Sequence, residues 1–212
     1  MATALTLQSL PLFPLGTVLY PGGMLPLRIF EVRYLDMIGR CHRAGAPFGV
    51  VSLTQGQEVR RPAAEREAFA TVGTLATIQA LEQPRPGLMV VRVIGQQRFR
   101  IRDSEQLKHG LWVANVEQIG ADQSVPVPED LQPTADALGT LVQRVREQGG
   151  EAAEALPIQD PLRLDDCAWV ANRWCELLPM PVALKQRLME LENPLVRLEL
   201  VTDVLARTGI TG

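Results

Sequence analysis

In the stretch GQQRFRIRD, Arg98, Arg100 and Arg102 alternate with Phe99 and Ile101. A β-strand turns successive side chains to opposite faces, so this spacing predicts guanidinium groups on one face and an apolar pair directed into a core. Such a face is either a solvated strand surface or a cationic surface that grips carboxylates, peptide carbonyls or phosphate through forked hydrogen bonds. Other reactive side chains are sparse. His42 and His109 are the only histidines, and Cys41, Cys167 and Cys175 the only cysteines. Cys41 and His42 are neighbours, which on a helix diverge by about 100° and cannot chelate one ion alone. Cys167 and Cys175 stand about two helical turns apart, which does not suit a shared zinc. The thiols read as small core hydrophobes, and neither a metal site nor a Cys–His nucleophile pair is expected. Asp165 and Asp166 read as a helix cap, and Glu190 and Glu192 as a solvated face, not as a catalytic carboxylate pair. The chain contains no G-x-x-x-x-G-K-[ST], no G-x-G-x-x-G and no G-x-S-x-G. It therefore lacks the familiar loops that cradle a phosphate or expose a serine nucleophile.

The 212 residues are 46% hydrophobic, enough for one sizeable core or two small ones. With 21 basic and 24 acidic residues the formal net charge is -3, without the basic excess of a typical nucleic-acid binder. Only Lys108 and Lys185 among the basic residues are lysine. An odd number of cysteines without short paired spacing fits a reducing compartment. The opening MATALTLQSL lacks the basic flank of a signal peptide, and no apolar window reaches the roughly 20 residues of a membrane helix. A cytoplasmic protein is expected.

The elements that must position these residues follow from pattern. In Leu10–Met37, Pro11 and Pro14 rule out a helix. GTVLY and MLPLRI have strand composition around a PGG turn, and Pro26 marks the second segment as an edge or irregular strand. From Glu31 to about Gly45 the spacing of Tyr34, Leu35, Ile38 and Cys41 predicts a helix, with Glu31 in its first turn. PFGVVSLT reads as a buried strand, followed by a polar loop over Gln55–Glu67. FATVGTLATIQALEQ, GLMVVRVIG, QQRFRIRD and LWVANVEQIG then predict further strands of a mostly antiparallel module, with Gly95 at a hairpin or bulge. Gly120–Pro133 has the character of a linker. Beyond it, Leu138, Leu141, Val142 and Val145 mark one helix, Asp165 offers an N-cap to the next, and Pro181 and Pro194 open two more. Trp169 and Trp174 lie five apart on their helix, so at most one faces the core squarely.

In this order, LPLFPLGTVLYPGGMLPLRIFEVRYLDMI, VGTLATI, VIGQQRFRI and LLPMPVALKQRLMELENPLVRLELVTDVL resemble the N-terminal domain of ATP-dependent Lon proteases; cereblon carries a related module. The resemblance covers nearly the whole chain and implies an α+β fold: a PUA-like antiparallel β pseudo-barrel followed by a C-terminal α-helical bundle. The expected division is a barrel over 1–120 with one helix near 31–45, a linker over 121–133 and a helical unit over 134–212. Since no ATPase or Ser–Lys peptidase motif is present, the implied role is non-enzymatic and without cofactor. It is recognition of unfolded or extended polypeptides, as an adaptor or chaperone-like factor working with a protease or chaperone. Phe30, Tyr34, Arg98, Arg100 and Arg102 are the candidates for peptide contact, with Glu31, Arg33, Gly73 and Gly95 as structural residues of the motifs. RNA binding is the alternative that PUA-like barrels suggest, against the acidic balance. A small-molecule enzyme using the barrel groove ranks last for want of catalytic residues.

Overall fold

The computed structural model describes residues 5–58, 67–154 and 156–208. The chain divides into two compact units, with the boundary between Ala121 and Asp122. Most of the Gln55–Glu67 loop reading lies outside the described residues.

The first unit is built on seven strands: β1 (Thr6–Leu15), β2 (Met24–Ile29), β3 (Phe48–Gln55), β4 (Ala68–Phe69), β5 (Val72–Arg85), β6 (Leu88–Gln106) and β7 (Trp112–Gln118). The sheet runs β1-β7-β6-β5-β3-β4, and a parallel pairing of β1 with β3 closes it into a barrel. The other pairings are antiparallel. Two apolar clusters fill the interior. One gathers Phe13, Leu27, Ile29, Tyr34, Met37, Ile38, Phe48 and Val93, and the other Leu12, Val51, Leu75, Phe99, Trp112 and Val116. Phe99 thus enters the core as its alternation with the arginines requires, and Ile101 packs against the same cluster.

Two strand readings are corrected. GTVLY is not a strand: the first strand is TLQSLPLFPL, upstream of it. Val18, Leu19 and Tyr20 are nonetheless buried, so their apolar composition reflects a plug in the core and not a ladder. GLMVVRVIG and QQRFRIRD are one strand of 19 residues, β6. Gly95 makes no hairpin. It faces a bulge formed by Gly22 and Gly23, where Gly22 N–H donates to the Gly95 carbonyl and Gly95 N–H to the Gly23 carbonyl, both at 2.8 Å. Gly22 has φ 72°, and Gly23 N–H donates to the Tyr20 carbonyl, so Tyr-Pro-Gly-Gly is a turn with proline second and a left-handed glycine third. A β-carbon on Gly95 would lie 2.1 Å from the Tyr20 carbonyl oxygen. The adjoining register shift between Thr74 and Ala76 absorbs an extra β6 residue, so the strand bends and continues.

Helix α1 (Val32–Ala44) follows β2, as expected. Its buried residues Arg33, Tyr34, Met37, Ile38 and Cys41 fall on one face at helical spacing. It ends in a Schellman arrangement: Gly45, at φ 59°, donates to the His42 carbonyl and Ala46 to that of Cys41.

The second unit contains α2 (Gln132–Gln148), α3 (Gly150–Glu154), α4 (Cys167–Leu177), α5 (Val182–Glu190) and α6 (Pro194–Thr208). Residues of the Gly120–Pro133 stretch, which has the composition of a linker, are bonded into it. Ser124 donates to the Asp166 carboxylate, Cys167 N–H donates to the Val125 carbonyl, and a 3₁₀ turn over Glu129–Leu131 leads into α2. The cap of α4 is Asp166, not Asp165: its Oδ1 accepts from the N–H groups of Ala168 and Trp169. Trp174 is buried with its indole N–H on the Thr134 carbonyl, while Trp169 is half-buried beneath the Arg173 guanidinium. Arg197 is fully buried. It donates to the carbonyls of Leu188 and Leu191 at the end of α5, and pairs with Asp122 and Asn172.

Candidate functional site

The Glu31-Val32-Arg33-Tyr34 segment starts α1 and is tied into the barrel. Arg33 donates to Glu31 Oε2 (3.2 Å), to the Gly110 carbonyl (2.8 Å) and to Glu67 Oε1 (3.0 Å). The other oxygen of Glu67 accepts from the indole N–H of Trp112 on β7 at 2.7 Å. The guanidinium also lies 4.5 Å from the centre of the Tyr34 ring, whose other partner is the stacked ring of Phe13. Burial, the largest influence on Arg33, pulls its pKa down, but the hydrogen bond to Glu67 with the fields of Tyr34, Glu67 and Glu31 outweighs it and holds the pKa above the ordinary value. Tyr34 is pushed up mainly by burial, against the opposing pull of Arg33. These residues are a charged clamp between helix and barrel. Glu67, its centre, gave no signal in the sequence beyond being one carboxylate in a polar stretch.

The clamp stands at one end of a cleft. Along β6, residues 99–106 pair with β7 and residues 89–94 pair with β2, so β7 and β2 succeed one another in the same place beside β6. β7 reaches β1 on its other side, down to the pair Leu12–Trp112; among the described residues β2 pairs only with β6. The barrel wall therefore has a seam between β2 and the last residues of β1. A cleft of about 340 Å³ occupies it, lined by Phe13, Leu15 and Thr17 on one side, by Leu25 through Glu31 on the other, and by Tyr34 and Glu58. Phe30, at the rim, is 54% exposed although it is an aromatic beside an apolar floor. Pro26, Arg28 and Phe30 face solvent, while Leu27 and Ile29 enter the core. Pro26 is thus on an edge strand, where its missing N–H costs no ladder bond.

Other hollows exist. One of about 580 Å³ lies beside α1 with the exposed Val32 on its wall, and one of about 700 Å³ lies along α2 with Leu162 and Leu164. Their walls are side chains from helices, strand faces and connecting loops. Only the seam, among these, runs along a strand edge.

Of the expected contact residues, the seam collects Phe30 and Tyr34 and leaves out all three arginines. The exposed arginine row does not form: Arg98 is only 4% exposed, and its carbonyl accepts from Ile119 N–H. Arg102 pairs with Glu117 on β7, and Arg100 is exposed. Alternation along the strand sets which side chains point outward, but it cannot tell which outward position the rest of the chain covers. Gly73 lies opposite Phe99, where a β-carbon would approach that ring at 2.6 Å and the Val50 carbonyl oxygen at 2.5 Å. Cys41, Cys167 and Cys175 are buried, and none is in a disulfide. Among the described residues no three His, Cys, Asp or Glu side chains are placed to share a metal ion, and no helix is long and apolar enough to cross a membrane.

Residues 9–207 match the family described as the ATP-dependent protease La (LON) substrate-binding domain. The chain belongs to this family. It is 27% identical over 210 residues to Lon protease 2 of Herpetosiphon aurantiacus, covering 97% of this chain and 24% of that protein. It is 29% identical over 127 residues to protein cereblon of Danio rerio, covering 58% of this chain and 28% of that protein. The chain thus spans about a quarter of the length of these relatives. The Lon N-terminal domain protein from Xanthomonas campestris is a structural neighbour at TM-score 0.69 and 30% identity, with 93% of this chain and 98% of that one aligned. The N-terminal domain of a Mycobacterium avium complex Lon protease shares the fold at TM-score 0.59 and 18% identity, over 92% of this chain and 97% of that one. The Lon substrate-binding fold, with its barrel and helical bundle, is therefore the architecture here, and the region matched is the substrate-binding one and not the ATPase or peptidase.

Proposed function

We propose that the barrel unit binds extended, non-native segments of other polypeptides without catalysing a reaction on them, and so serves as an adaptor or chaperone-like factor that works with a protease. The observation that carries this reading is the seam itself, an apolar cleft along a strand edge on which no other described strand pairs, with an exposed phenylalanine at its rim. Exposed aromatics beside a groove are typical anchors for a partner chain. The family's substrate-binding designation supports the same role. The charge pattern does not favour nucleic acid: the arginine row is divided among a buried residue, one paired with Glu117 and one exposed.

Fluorescence anisotropy with labelled reduced casein and a labelled single-stranded RNA tests the reading. Phe30→Ala is expected to weaken casein binding by about three- to tenfold, the scale of one aromatic contact. Arg100→Ala with Arg102→Ala should leave it within about twofold, because exposed charges contribute little. Tight RNA binding by a protein that ignores casein would replace this function with RNA recognition.

A further inference from the structure

Resting on that reading, we propose that the bound segment enters the seam as an added β-strand: its backbone pairs with the outer edge of β2, an apolar side chain lies over the Phe13–Tyr34 floor, and flanking lysine or arginine residues meet Glu31 and Glu58. The lining identifies an edge. Leu25 to Phe30 border the cleft without interruption, although successive strand residues point to opposite faces. Only the edge of a strand presents every residue to one cavity. The bulge then sets the parity of the ladder. With Gly95 donating to Gly23, the alternation of an antiparallel pair directs the N–H and C=O groups of Leu25, Leu27 and Ile29 to β6. Those of Pro26 and Arg28 point away from β6, towards the cleft. Two carbonyls and the Arg28 N–H are thus offered to an incoming chain, in the mode by which extended peptides join sheet edges. Pro26 supplies an acceptor without a donor, so the edge is discriminating and not open along its whole length.

The charges select the occupant. β1 runs antiparallel to β7, β7 to β6, and β6 to β2, so β1 and β2 are antiparallel across the seam. Glu58, whose Oε1 accepts from Gly16 N–H just past β1, lies at the end where β2 begins. Glu31 lies where β2 ends, giving one oxygen to Arg33. A carboxylate at each end of an apolar slot suits an extended segment with an apolar centre and basic flanks.

The test uses a fluorescein-labelled peptide, Lys-Thr-Phe-Thr-Leu-Thr-Lys, and two versions N-methylated at alternate residues, one set each. Because only alternate N–H groups of an added strand face β2, one version is expected to bind at least about tenfold more weakly than the parent and the other within about twofold of it. Replacing both lysines with glutamate should weaken binding by roughly threefold per flank, a preference that Glu58→Gln reduces. Arg28→Pro, which removes an outward N–H as Pro26 does, should lose binding that Arg28→Ala retains. Equal binding of the two N-methylated peptides overturns strand addition, and equal binding of the lysine and glutamate peptides overturns the assigned occupant. If the parent peptide fails while casein binds, this proposal falls and the polypeptide-binding function stands; if casein fails as well, both fall.

Discussion

Replacing Arg33 by methionine keeps most of the buried stem and removes the guanidinium that joins α1, β7 and the Glu67 strand entry. Three hydrogen bonds go at once, to Glu31, Gly110 and Glu67. The larger consequence is electrostatic. The Glu67 side chain is 8% exposed and would keep, among the described residues, the Trp112 indole N–H as the donor to its charge. Breaking a buried pair from one side costs about 3–5 kcal/mol, because the surviving charge is left desolvated without compensation. Losing the cation over the Tyr34 ring adds up to about 1 kcal/mol. Glu67→Gln in the Arg33→Met background removes the stranded charge, so the double variant should cost less than the sum of the singles by about 1.5–3 kcal/mol. Urea titration read by hydrogen exchange of peptides from α1 and β7 follows this unit without interference from the helical one. A cost below about 1 kcal/mol for Arg33→Met, or additivity within about 0.5 kcal/mol, would refute the clamp. A loss of casein binding in conditions where Arg33→Met stays folded would instead make Arg33 a contact residue.

Gly95→Ala should destabilise the barrel by about 1–3 kcal/mol in thermal or urea unfolding, since its new methyl group must displace the Tyr20 carbonyl; an unchanged midpoint would count against the bulge. Asp166→Ala should cost about 0.5–2 kcal/mol and increase exchange at Ala168 and Trp169, whose N–H groups it caps, whereas Asp165→Ala should not. Burial pushes the Glu176 carboxyl from 4.5 up to about 8, against the opposing pull of Arg173 and Lys185. Between those values the folded chain holds a proton that the unfolded chain has released, so this group's contribution falls as pH rises from about 4.5 to 8. Glu176→Gln should flatten that part of the stability profile, and an unaltered slope would show that Glu176 does not titrate there.

Much of the fold is local chemistry and was legible along the chain. Proline positions excluded a helix in the first tract, Tyr-Pro-Gly-Gly specified its turn, and periodicity located α1 and its left-handed stop at Gly45. Phe99 was placed in the core by alternation alone. Each of these depends on backbone sterics or on a side-chain period that neighbours in sequence impose. The misreadings share another cause. Val18, Leu19 and Tyr20 are as apolar as a strand yet serve as a plug, because burial does not distinguish a ladder from an irregular segment. Gly95 stands at one of the two features its residue type suggests, a bulge and not a hairpin, and what demands glycine there is a carbonyl contributed by Tyr20, seventy-five positions away. Asp122, Ser124 and Val125 look like linker residues until α4 and α6 bond to them. The candidate site is the extreme case. The seam arises because β7 and β2 share one flank of β6 while, of these two, β7 is the one that pairs with β1 among the described residues, and which strands meet is decided by closure of the barrel. A residue's type and spacing carry its backbone preferences and its burial tendency; its partners, and therefore its vacant edges, are set by the tertiary fold.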